Sequence, residues 1–485
     1  MNRRQAIKTI GGLAGMAGLS KFLPACGGDG EDVGITTYVY LMLENRTFDH
    51  VFGARKLQGI ANAGDGLTAT MSNPDSSGTP ITVYEAPAAQ LCVPDPPHGW
   101  DPSHAQFNAG AMDGFVKQYE LAVGSTGVRD TMQYLTRTQI PVSWALADQY
   151  TVCDRWFASV MGPTLPNRAY WHTATSFGLK VNTAVLEMFG SVPVPTIYNR
   201  LHDKNIDWAY YSGPLAVASL LGNDGPYHLD LGPPPSEGTG RIRRFCAYPD
   251  MPDDPNGTFF KDAKAGRLPT VSYIDPFFGE NDDHPPLHPI MAQALIAAIY
   301  NALAQSPQWK NCMLVITYDE HGGFFDHVPP PTTVDDTEAR FGVPGFEQLG
   351  FRVPAMVIGP YAKQSYVSSV QYDHTSALKH LQTAFELETL NARMDAANDL
   401  SDCIDLDRLA VGDWAPPIEL PAINLADYLA ATSAPGCKGM AFRELDPITE
   451  FANQNPNSVL DHRASYDTES YHRGIVEFLR ESQRR

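Results

Sequence analysis

The chain has 485 residues, of which 40 are Gly and 39 are Pro, and a formal net charge of -20. Gly and Pro without a Gly-X-Y period exclude collagen, and a hydrophobic share of 43% excludes wholesale disorder. The charge disfavours nucleic acid and anionic membranes as partners, so a phosphorylated substrate needs a local cation.

Residues 1–25 hold Arg3, Arg4, Lys8 and Lys21 and no acid. The apolar run at 10–19 is far shorter than the ~20 residues a bilayer span needs. The segment reads as an export signal, and Arg3-Arg4 resembles the twin-arginine type. Residues 23–26, LPAC, resemble a lipoprotein cleavage box with Cys26 as the lipidated residue. The expected location is periplasmic or cell-surface through that lipid anchor, or secreted without it. Residues 26–34 form a linker. Six further cysteines (Cys92, Cys153, Cys246, Cys312, Cys403, Cys437) are open to pairing outside the cytoplasm. Cys312 and Cys153 read as buried free thiols. None of the six has the spacing of a cysteine metal site.

A strand is predicted at 35–43, ending at Glu44-Asn45-Arg46. Helical spacing follows at 143–152, a Gly/Pro loop at 161–168 and a helix at 169–176. Helix 196–204 and strand 207–211 precede a Gly- and Pro-rich insertion at 213–268. Strand 270–274 runs into Asp275, helix 290–305 follows, and strand 313–318 ends at Asp319-Glu320. Strand 353–358, helix 375–387, an irregular part from about 400 and a closing helix at 471–482 complete the chain. This alternation predicts an α/β protein: a central, largely parallel sheet flanked by helices, with loop insertions. Residues 35–485 are expected to form one domain, because the chemistry-bearing motifs need one continuous sheet.

Ligands of open α/β sheets bind at the carboxyl ends of strands. Glu44-Asn45 and Asp319-Glu320 end two buried strands, so three carboxylates and an amide meet at one edge. Such a group repels itself unless a cation sits between its members. Thr164 lies in Gly162-Pro163-Thr164-Leu165-Pro166-Asn167-Arg168, where a metal would turn its hydroxyl into a nucleophile. Arg168 is a candidate for a phosphoryl oxygen or a carboxylate. Histidines cluster in the windows His98/His104, His284/His288, His321/His327 and His374/His380, with an acid just before the His at Asp283-His284, Asp326-His327 and Asp373-His374, which suggests metal, phosphate or acid–base work. Asp283, His321, His327 and His374 join Arg168 as candidates for a phosphate pocket.

These residues lie within or beside the motifs MLENRTFDHVFG (42–53), DPPHGW (95–100), FNAGAMDGF (107–115), MGPTLPNRAYWHTATS (161–176), NDDHPP (281–286), ITYDEHGGFFDHVPPP (316–331), FRVPAMVIGPYA (351–362) and QYDHTSALKHL (371–381). Together they resemble the bacterial phosphoesterase family of phosphatidylcholine-type phospholipases C and acid phosphatases. The resemblance implies an alkaline-phosphatase-like fold. It implies Thr164 as nucleophile and one divalent metal on Glu44, Asn45, Thr164, Asp319 and Glu320, with Ca, Zn, Mn and Mg all open. It also implies His98 and His284 around the phosphoryl group, His284 protonating the leaving alcohol. Thr164-x-Pro-x-Arg168 resembles the sulfatase signature too, but Thr cannot become the aldehyde that sulfatases need. The expected reaction is hydrolysis of a phosphoric ester through a phosphothreonine, chiefly phospholipase C-type cleavage of diesters such as phosphatidylcholine. Acid phosphatase action on monoesters is the alternative within the class, and a non-catalytic surface-binding lipoprotein the alternative outside it. Expected partners are a phosphorylated small molecule or a phospholipid head group.

Overall fold

A computed structural model describes residues 34–125, 127–183, 194–212, 217, 242–244, 259–437, 475, 476 and 480. The expected export signal at 1–25, Cys26, Cys246, nearly all of the expected linker and most of the stretches 213–268 and 471–482 lie outside the described residues.

Eight strands build the central sheet: β1 (Thr37–Leu43), β2 (Thr151–Cys153), β3 (Trp208–Ser212), β4 (Ile242–Arg244), β5 (Val271–Ile274), β6 (Cys312–Tyr318), β7 (Ala355–Ile358) and β8 (Tyr366–Ser368). Their order across the sheet is β8-β2-β7-β6-β1-β5-β3-β4. All neighbours pair in parallel except β7, which runs against β6 and β2. The fold is therefore α/β with a largely parallel sheet, as the alternation of elements predicts. Every residue of β1 and β6 is buried. That is why both read as continuous apolar runs: a parallel strand covered on both faces has no polar side.

Among the described helices are α1 (Trp100–Phe107), α2 (Pro141–Gln149), α3 (Thr164–Thr173), α4 (Pro289–Ala304), α5 (His374–Phe385), α6 (Leu406–Val411) and α7 (Leu425–Ser433). Tyr38 and Tyr40 of β1 share one face of the sheet. Tyr38 meets His380 and Phe385 of α5, and Tyr40 meets Trp171 of α3. These two helices thus lie on the same side of the strand that leads into Glu44.

Two local expectations change. The Gly/Pro loop at 161–168 gives way to helix at Thr164, with Pro163 as the extended cap residue. Pro166 falls in the first turn, where a helix has no use for the missing N–H. The stretch after residue 400 is broken by α6 and α7.

The chain enters at the amino edge of the sheet, where Asn311 Nδ2 donates to Gly34 O at 2.6 Å and Thr36 N to Asn311 O at 2.9 Å. Cys92 and Cys437 form a disulfide across 345 residues. Cys153, Cys312 and Cys403 are free and buried. Among the described residues, no helix is long and apolar enough to cross a membrane.

Candidate active site

Parallel pairing in the register Leu43↔Tyr318 brings the ends of β1 and β6 to one edge. The chain turns sharply there. Asn45 has φ 62, and Gly322 has φ 61. A Cβ on Gly322 would stand 2.2 Å from Asn45 O, so the two turns approach closely only because that residue is Gly.

Asp319 Oδ1 accepts from the backbone N–H groups of Asn45 (3.2 Å) and Glu320 (2.7 Å). Arg168 fastens the edge from above. Its Nε donates to Asp319 Oδ2 at 3.2 Å and its Nη1 to Asp275 Oδ1 at 3.0 Å. Its Nη2 lies 3.3 Å from Glu44 Oε1 and donates to the carbonyls of Met42 and Leu43. The guanidinium is thus bound to the carboxylates of three strand ends. Arg168 follows Thr164 by one turn of α3, so the two share a helix face. The ion pairs of Arg168 therefore hold the helix that presents the Thr164 hydroxyl, which is itself buried at the helix start.

Burial pushes the carboxyl groups of Asp319, Asp275 and Asp282 up, and the Arg168 guanidinium offsets only part of this. One cation for so many buried acids leaves room for another positive charge.

The histidines divide into groups. His98 Nδ1 donates to Pro96 O at 2.6 Å, which leaves Nε2 to accept from Asn45 Nδ2 at 3.2 Å. Nε2 also lies 3.5 Å from Glu320 Oε1. The His284 ring stands 5.6 Å from that of His98, and its Nδ1 donates to Pro285 O. Asp95 joins them, 3.6 Å from His98 and 4.0 Å from His284. His321 lies 2.9 Å from Glu320 Oε2 and 2.7 Å from Gln106 Oε1. Burial, and then the charge of His98, push its pKa well down. His374 accepts from Trp156 Nε1 on Nδ1 and donates from Nε2 to Asp319 O at 2.6 Å. Burial drives its pKa down to about 4, so it is a neutral strut behind Asp319.

Two candidates face other partners. Asp283 accepts from Tyr318 OH at 2.7 Å and pairs with Arg46 at 3.5 Å. Its carboxyl is pushed up to about 6 by burial, against the pull of Arg46. His327 contacts Asp49 (2.6 Å), Asp65 (3.3 Å) and Arg352 (3.3 Å).

The residues fit a divalent metal. The Asn45 amide is oriented by His98, which takes its NH₂ group, while its buried Oδ1 has no hydrogen-bond partner. A buried oxygen without a donor, flanked by Glu44, Asp319 and Glu320, is the donor set of a hard cation. Among the described residues, two groups of acids and histidines bring their ligand atoms within 4.8 Å of one another, Asp95 with His98 and His284, and Asp49 with Asp326 and His327; the carboxylates of Glu44, Asp319 and Glu320 do not all approach one another that closely. Both His98 and His284 donate Nδ1–H to a backbone carbonyl, the support expected of a histidine that uses Nε2.

Sequence reading misses Asp95 and Gln106 and gives Asp275 no role, although Asp95 stands three residues before His98 inside a quoted motif.

A model of the phosphoesterase family matches residues 35–388, and the chain belongs to that family; it is a phosphoric ester hydrolase. It is 32% identical to "Phospholipase C B" of Mycobacterium tuberculosis over 444 residues, covering 81% of this chain and 82% of that one. It is 31% identical to "Non-specific phospholipase C6" of Arabidopsis thaliana over 380 residues, covering 73% and 69% respectively. Among solved structures, a protein in the alkaline phosphatase superfamily from Vibrio parahaemolyticus aligns at 13% identity and a TM-score of 0.35, over 54% of this chain and 64% of that one.

Proposed function

We propose that the chain is a metal-dependent phospholipase C-type phosphodiesterase with Thr164 as nucleophile. The observation that supports this most is the oriented Asn45 amide, whose buried oxygen lacks a donor beside Glu44, Asp319 and Glu320. The names of the relatives point to the same substrate class.

Glu44, Asn45, Asp319, Glu320 and the Thr164 hydroxyl would hold one divalent cation. A cation held there would supply the positive charge that lowers the pKa of the Thr164 hydroxyl and offsets charge on the phosphoryl oxygens. Arg168 holds α3 in place against three carboxylates, so the Thr164 oxygen meets phosphorus with little reorganisation. Thr164 Oγ bonds to phosphorus as the bond to the diacylglycerol oxygen breaks. His284, protonated on both nitrogens, gives its Nε2 proton to that oxygen, with the His98 ring 5.6 Å away. Water then attacks the phosphothreonine, Thr164 leaves, and the phosphorylated head group is released.

The reading includes export by the twin-arginine route with a lipid on Cys26. The Cys92–Cys437 disulfide supports an oxidising compartment. The test is turnover of p-nitrophenyl phosphorylcholine against p-nitrophenyl phosphate. Diester cleavage is expected; cleavage of the monoester alone would overturn the phospholipase reading.

A further inference from the structure

Beside Gly162, two residues before Thr164, stands an aromatic group with no part in the mechanism above. Trp100 opens α1, two residues after His98. Its indole lies against Gly162, where a Cβ would stand 3.3 Å from Trp100 Cε3. Gly162 is two residues before Thr164, so the indole is bracketed by two segments of the site. The Phe346 ring stands 5.3 Å from the indole, and the His104 ring stacks on it at 4.5 Å.

A cation already occupies this surface. Lys180 Nζ sits 4.4 Å from the Trp100 ring centre and 5.8 Å from that of Phe346. Phe346 is buried, while Trp100, His104 and Lys180 are partly exposed. A lysine head normally seeks water, because its ammonium is strongly hydrated. An ammonium shared by two aromatic faces is how proteins hold alkylammonium ligands.

We propose that Trp100 and Phe346 form the subsite for the alkylammonium end of the substrate's head group, with Lys180 as its built-in competitor. This rests on the phospholipase reading. There the head group stays on the phosphoryl carried by Thr164 until water releases it, so its cation needs a place near Thr164. The net charge of -20 draws such a cation inward.

The test compares the parent protein with Trp100→Leu and Lys180→Met. The readout is kcat/KM on p-nitrophenyl phosphorylcholine divided by kcat/KM on p-nitrophenyl phosphate. Trp100→Leu is expected to lower this ratio roughly five- to thirtyfold, and Lys180→Met to raise it by about two- to fivefold. A ratio unmoved in either variant, or lowered by Lys180→Met, overturns the subsite. Thermal melts identify a Trp100→Leu protein that has lost its fold, and Lys180→Met then decides. A second arm titrates choline chloride and ethanolamine into the Thr164→Ala protein by tryptophan fluorescence. Saturable quenching by either that strengthens on adding Lys180→Met supports the subsite; no saturable quenching overturns it. If the parent cleaves only the monoester, the phospholipase reading has failed, and the titration still judges the subsite by itself.

Discussion

Two buried arginines organise the loops at and around the carboxyl ends of β1 and β6, and they do so differently. Arg352 donates Nε to Asp326 Oδ1 at 2.9 Å and Nη2 to Asp49 Oδ1 at 3.1 Å, and Nη1 serves the carbonyls of Asp65 and Asp154. Asp326 also accepts from the N–H groups of Asp49 and Val328, and Asp49 from the N–H group and ring of His327. The acids of this cluster are met by protein donors, although its atoms are close enough for a cation. Arg168 likewise gathers three carboxylates, but the amide oxygen beside them is left without a donor. The lesson is that closeness of acids alone does not mark chemistry. An arginine that completes the count makes a clasp; one that leaves an oxygen unmet makes room for a ligand.

The largest effect separating the two is expected at Thr164. Thr164→Ala should lower kcat by about 10³-fold or more while the thermal midpoint stays close to the parent's. Turnover within a few-fold of the parent would remove Thr164 as nucleophile. Next in size is metal removal. Dialysis against a chelator should cost several kcal/mol of transition-state stabilisation, on the order of 10²-fold in rate or more, with recovery on adding back one divalent ion. Elemental analysis of the untreated protein names that ion, and full activity in its absence would end the metal reading.

The clasp should respond in stability instead. Arg352→Met strands Asp49 and Asp326 and should cost about 3–5 kcal/mol in urea unfolding. A loss confined to turnover, with unfolding unchanged, would move Arg352 into the catalytic group and erase the contrast.

The smallest effect is pH-dependent. Burial lowers the His327 pKa, but the hydrogen bond and charge of Asp49 outweigh it, and the net shift is upward. A histidine with a raised folded pKa adds stability that is complete below its unfolded value of about 6.5 and is lost as pH rises through the folded value. The parent should therefore exceed His327→Gln in stability at pH 5.5, and the gap should shrink by pH 8.5. A gap that widens with pH would reverse the assignment.

Much of this was legible in the chain. The strands ending at Leu43, Ile274 and Tyr318 are apolar enough to be seen, and the acids that follow mark the edge where they meet. The direction of β7 was not legible, because an apolar run of four residues has no sense of orientation. Helix α3 was hidden at its start because prolines signal loops more often than first turns. The carboxylate partners of Arg168, Glu44, Asp275 and Asp319, lie 124, 107 and 151 residues away along the chain, and no spacing rule joins such positions. Asp95 and Gln106 matter only once the loop around His98 folds onto β6.

One feature of the entry strand has a bearing on how the protein meets its surroundings. Gly34 is fixed at the amino edge, and Glu44 stands at the carboxyl edge. Between them run the seven residues of β1, roughly 23 Å at about 3.3 Å each. Were the proposed lipid on Cys26 to tether the chain ahead of Gly34, it would hold the molecule by the pole opposite the proposed reaction centre. An enzyme moored in that way would face outward, and would reach what diffuses toward it before the surface to which it is tied.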